Sequence, residues 1–166
     1  MTVVTLTDHE VALVRAVGEA RRASAVALGR PARYGFNKDD PTASDINAAG
    51  GELASALLYR LPWTGCYYRE LDPKPADIGR ATEVRTREVH PAMTAETMDL
   101  LAHPEDPDDW NLVLVVGTLP TYEVVGHISG ARAKRQGWWK DPSGRSGASR
   151  PAYFVPQHAL TPPAIS

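Results

Sequence analysis

Apolar residues recur at helical spacing from about Thr7 to Leu28, with Val11, Val14 and Val17 on one side and Leu13 close by, which predicts an amphipathic helix. Thr7 followed three residues later by Glu10 is a capping-box pattern. Gly29-Arg30-Pro31 stops the run. A polar, turn-rich loop from Tyr34 to Pro41 separates it from a second helix, which starts at Thr42 or Ser44 and ends near Leu61. Ile46, Leu53, Leu57 and Leu58 form the apolar stripe of that helix. Gly50-Gly51 falls inside it, at a cost of roughly 1 kcal/mol per glycine relative to alanine. The pair marks close backbone packing, a bend, or a later start to the helix.

Beyond Pro62 the period shortens. Tyr67-Tyr68 suits a short strand, and Thr82-Glu83-Val84-Arg85-Thr86 alternates with period two. Pro91 to Leu101 predicts a short helix capped by Thr94, with Met98, Leu100 and Leu101 as its apolar side. Trp110 to Val116 reads as a buried strand, Gly117 to Pro120 as a turn, and Tyr122 to Ile128 as the returning strand of a hairpin. Ala131 to Trp139 predicts a basic helix bearing two tryptophans. Asp141 to Arg150 is Gly- and Ser-rich and reads as a loop, and Ala152 to Val155 as a last strand.

At 166 residues, the length suits one domain. No stretch approaches the run of roughly 20 apolar residues that spans a bilayer, and the first residues lack the basic start and apolar run of a signal peptide. The single cysteine, Cys66, excludes an internal disulfide and a cysteine-rich zinc site. A cytoplasmic protein is the simplest expectation. Net charge is −2, so there is no global basic field, and the distribution matters more. Arg132, Lys134, Arg135, Lys140, Arg145 and Arg150 face a single acid, Asp141, between Gly130 and Arg150, whereas residues 105–109 read Glu-Asp-Pro-Asp-Asp. Each stretch suits a solvated loop. Together they also suit a protein that grips phosphate while holding a cation. Trp138-Trp139 beside Lys134, Arg135 and Lys140 suits base stacking, and core packing equally well. No nucleophile elbow, phosphate-binding loop or dinucleotide-binding glycine pattern is present. His90 and His127 suit a catalytic or metal-binding role, although a lone strand histidine is more often packed or on the surface, and His9 and His103 lack ligand spacing.

Two acids stand six positions apart in Asp77-Ile78-Gly79-Arg80-Ala81-Thr82-Glu83, and Arg85 follows two residues later. On a strand Glu83 and Arg85 share one face. A hairpin brings Asp77 beside Glu83, and clustered carboxylates suit a hard cation. Here the chain resembles the PD-(D/E)xK nuclease superfamily, in particular its small phage-encoded members. Glu83-Val84-Arg85 stands for the acid-x-lysine half of the pattern, with arginine in the lysine position. Pro75-Ala76-Asp77 is a loosened first half, and the resemblance covers roughly Gly51 to Leu160.

The resemblance implies an α/β fold, a restriction-endonuclease-like mixed β-sheet flanked by helices over residues 42–160, to which the long N-terminal helix is an addition. It implies Mg²⁺ or Mn²⁺ held by Glu52, Asp77 and Glu83, and hydrolysis of DNA with Asp77, Glu83 and Arg85 as the catalytic group. Arg132, Lys134, Arg135 and Lys140 are then the expected contacts to the DNA backbone. A homodimer is compatible with it. Arginine is a poor proton handler and a good phosphate clamp. Arg85 therefore also points to an alternative expectation, a non-catalytic descendant that binds nucleic acid or a host protein.

Overall fold

The run from Leu112 to Val116 is buried at every position, which a strand achieves only when both of its faces are covered. The computed structural model describes residues 1–29, 40–65, 75–89, 95–141 and 151–164. In chain order its elements are β1 (Thr2–Thr5), α1 (Asp8–Ala27), α2 (Pro41–Tyr59), β2 (Thr82–Arg87), β3 (Leu100–Ala102), β4 (Asn111–Thr118), β5 (Thr121–Ser129), α3 (Gly130–Ala133), β6 (Trp139–Lys140) and β7 (Ala152–Val155). A mixed four-stranded sheet runs β1-β5-β4-β2, with β2 parallel to β4 and the other pairs antiparallel. A second, antiparallel sheet runs β3-β7-β6.

Strand parity divides the core. Val113 and Val115 face the helices and pack with Val14 of α1 and Ala49, Leu53 and Ala54 of α2. Leu112, Leu114 and Val116 face the second sheet and pack with Met98, Leu100 and Val155. The order of layers is helices, four-stranded sheet, three-stranded sheet. The mixed α/β character and the mixed sheet agree with expectation, and so do α1, the hairpin and β7. No described helix is long and apolar enough to cross a membrane.

Thr7 caps α1 in the expected capping box with Glu10, and Asp40 caps α2 by accepting from the Ala43 N–H at 2.9 Å. The two helices meet where Gly18 lets Ile46 approach: a β-carbon at Gly18 would stand 2.5 Å from the Ile46 Cα. Of the three readings of Gly50-Gly51, close packing holds. A β-carbon at Gly50 would lie 2.0 Å from the Tyr122 hydroxyl, and one at Gly51 2.0 Å from Thr86 Oγ1. Tyr122 is fully buried and donates to Asn47 Oδ1 at 2.8 Å, so it has little room to yield. Gly50→Ala should therefore lower stability by about 1–3 kcal/mol through overpacking, despite alanine's better helix propensity. Urea denaturation checks this, and an unchanged midpoint would show that Tyr122 moves freely.

Two expectations need correction, and one strand was not foreseen. Leu100 and Leu101 belong to a strand, β3, because Val155 and Phe154 pair with them; among the described residues of that stretch, Ala95–Thr97 forms a helical turn, a 3-10 one. Of the Ala131–Trp139 helix only α3 and a 3-10 turn over Gln136–Trp138 exist, and Trp139 enters β6. Thr2–Thr5 forms a strand, drawn onto β5. Tyr67-Tyr68, Cys66, His90, Thr94, Arg145 and Arg150 lie outside the described residues.

Candidate functional site

The parity that divides the core also divides the acids. Val84 and Thr86 of β2 pair with Val113 and Val115 on the helix side, whereas Glu83 and Arg85 pair with Leu112 and Leu114 on the side of the second sheet. Glu52, on α2, belongs to the helix side. The three acids expected round one cation are therefore parted by the sheet, with Asp77 in the turn that leads into β2.

On the helix side Glu52 is buried and held by a two-pronged ion pair. Arg21 donates from Nη1 to Oε1 and from Nη2 to Oε2, each at 2.7 Å, and Trp63 donates from Nε1 to Oε2 at 3.0 Å. Burial alone would lower the Arg21 pKa, but Glu52, then Asp77 and Asp45, hold it above its ordinary value. Next to it Arg22 Nη2 lies 2.5 Å from Asp45 Oδ2. Two buried ion pairs thus lock α1 to α2.

On the other side Arg85 directs three N–H groups inward. Nη1 donates to Glu83 Oε1 at 2.6 Å, Nη2 to Asp106 Oδ1 at 2.7 Å, and Nε to the Leu101 carbonyl at 3.1 Å. Desolvation works against its charge, yet Glu83 and Asp106, with Asp77 behind them, hold its pKa above the ordinary value. Asp106 also accepts from the His103 N–H at 2.8 Å, which fixes the acidic turn. Lys134 Nζ in turn donates to the Asp106 carbonyl and to Asp108 Oδ1, the latter at 2.8 Å. The network runs without a break from β2 to the foot of the basic segment.

Asp77 accepts from the Val84 N–H at 2.8 Å and so closes the turn before β2. Its charge favours the protonated form of both Arg21 and Arg85, on opposite sides of the sheet. Among the described residues no group of three or more His, Cys, Asp or Glu side chains stands together to hold a metal ion. The donors do not fit Mg²⁺ or Mn²⁺ in this arrangement, because guanidinium N–H groups occupy both Glu52 oxygens and one of Glu83. Arg85, expected to clamp the scissile phosphate, directs Nη1 and Nη2 at the Glu83 and Asp106 carboxylates and Nε at the Leu101 carbonyl. His127 stands apart, edge-on to Tyr59 with ring centroids 6.0 Å apart. Burial lowers the His127 pKa and pushes Tyr59 up to about 12.

The basic segment presents Arg132, Arg135 and Lys140 to solvent, while Lys134 is spent on the acidic turn. Arg135 lies over the Trp138 ring, 5.1 Å from Cζ to the centroid, and Lys140 Nζ lies 4.7 Å from the centroid of Phe154. Trp139 meets Tyr153 edge-to-face at 4.9 Å. Lys140 also lies 3.6 Å from Asp99. Elsewhere an open depression at the start of α2 is lined by Arg15, Asp40, Asn47 and Glu88, and Asn47 there is engaged with Gly117, Leu119 and Tyr122.

Sequence reasoning missed Arg21, Trp63, Asp106 and Phe154. For Arg21 a signal exists: Val14, Gly18, Arg21 and Ala25 share the buried stripe of α1, and a cation on such a stripe calls for a buried acid. Asp106 sits in an acidic run with nothing to single it out. Compared with family models, curated proteins and solved structures, the chain matches none.

Proposed function

We propose that this protein binds nucleic acid without cutting it, and that the acid–arginine network resembling a nuclease centre braces the binding segment. One observation carries the reading. Arg85, in the position of the pattern's lysine, is bonded inward to Glu83 and Asp106, and the same turn anchors Lys134 below exposed Arg132 and Arg135. The order of a helix acid, a turn acid and an acid-x-basic strand supports this reading, with those charges neutralised from within. The exposed cations carry the affinity through phosphate contacts, so binding falls as salt rises.

The test is fluorescence anisotropy with labelled DNA over a salt series, beside incubation of plasmid with Mn²⁺ or Mg²⁺. Salt-sensitive binding is expected, with a salt slope reduced by about one on Arg132→Ala, and the plasmid stays intact. Metal-dependent cutting that is lost in Glu83→Ala would overturn the non-catalytic reading. Absence of binding even at low salt would overturn the nucleic-acid reading.

A further inference from the structure

Resting on that reading, we infer that the nucleic acid is single-stranded and that Trp138 and Phe154 stack its bases. Each ring carries an exposed cation on one side, Arg135 on Trp138 and Lys140 on Phe154. Each is half-buried, so its neighbours fix it without taking the whole ring. Trp138 rests on the cluster of Met98, Leu100 and Val155, which leaves the arginine side for a ligand.

The register of the small sheet sets the arrangement. Lys140 pairs with Ala152 and so shares a face with Phe154 two residues on, while Trp139 pairs with Tyr153 on the opposite face. β6 is the outermost described strand of that sheet. Lys140 and Phe154 therefore stand together on one face of the β6–β7 pair, a cation beside an aromatic ring, as a phosphate stands beside a base along a strand.

Magnitudes favour exchange of cation for base. A cation over an exposed ring is worth roughly a two- to five-fold preference, whereas a base stacked on an aromatic side chain is worth roughly five- to hundred-fold. A base thus displaces Arg135 or Lys140 from its ring. The freed cation then takes the adjoining phosphate, so ring and charge both contribute. A duplex cannot use the rings, because its bases are stacked on one another, and it engages the charges alone.

The test compares a labelled single strand of about 12 nucleotides, within the usual span of such sites, with the duplex made from it, by anisotropy at ~0.1 M salt. The single strand should bind at least about ten-fold more tightly, and oligonucleotide should quench tryptophan fluorescence. Phe154→Leu keeps an apolar side chain in β7 but removes the ring. It should weaken single-strand binding about five- to hundred-fold and leave duplex binding and the melting temperature nearly unchanged. Arg135→Ala should weaken both and lower the salt slope by about one. Equal or tighter duplex binding, or a Phe154→Leu protein with undiminished single-strand affinity, overturns this inference and leaves the nucleic-acid reading standing. Binding of neither form overturns both.

Discussion

Arg21→Met will cost the fold about 3–5 kcal/mol, because it leaves the Glu52 carboxylate buried without its main partner. The two-pronged contact at 2.7 Å does more than join two helices. It lets α2 carry an acid against the sheet, with only the Trp63 indole N–H as a further described donor. Desolvation sets the size of the effect, so removing both charges should be far milder than removing one. Arg21→Met combined with Glu52→Leu should recover much of the loss, since an apolar pair of similar volume replaces a buried ion pair at little cost. Urea denaturation of the four proteins closes the cycle. A single-mutant loss below about 1 kcal/mol, the range of surface pairs, would show that water reaches Glu52.

Arg85→Met will destabilise by a similar amount, about 3–5 kcal/mol, and will also weaken nucleic-acid binding although Arg85 touches no ligand. It strands Glu83 and Asp106 beside each other and frees the turn that anchors Lys134, so the segment bearing Arg132 and Arg135 loses its footing. Affinity measured where the variant is still folded separates this from simple unfolding. Arg85→Lys is the sharper version. It restores the residue of the nuclease pattern, but an ammonium cannot reproduce the guanidinium fork toward Glu83, Asp106 and Leu101. Lysine should lower stability and confer no metal-dependent cutting, because the sheet still separates Glu52 from Glu83. Cutting by Arg85→Lys would mean that the acids converge and that arginine alone had silenced them.

The elements written in periodicity were legible. The capped first helix, the second helix with its glycine pair, the β4–β5 hairpin and β7 all follow from local pattern. The elements that exist because of a distant partner were not. Leu100 and Leu101 have a composition that suits either element and become a strand by pairing with β7, and β1 is too short to announce itself without β5. The site was legible as a list of residues and illegible as an arrangement. Spacing correctly placed Glu83 and Arg85 on one face, and turn chemistry placed Asp77 before them. Whether α2 covers that face or the opposite one depends on which side of the sheet the helix packs, and no pattern within the strand records it. Arg21 belonged to a helix read only for its apolar stripe, although its place in that stripe marked it as a buried cation.

The outer edge of β5 is shared between distant parts of the chain. β1 pairs along Thr121 to Val124, and Thr161 exchanges backbone hydrogen bonds with His127 at 2.8 and 2.9 Å, passing so near Gly126 that a β-carbon there would stand 2.6 Å from the Thr161 carbonyl oxygen. Two short segments therefore shield an apolar strand that would otherwise offer bare N–H and C=O groups to another molecule. Trimming the protein back to its helices and central strands, a natural choice for a minimal fragment, would strip that shield and leave the β5 edge open to pair with a second copy.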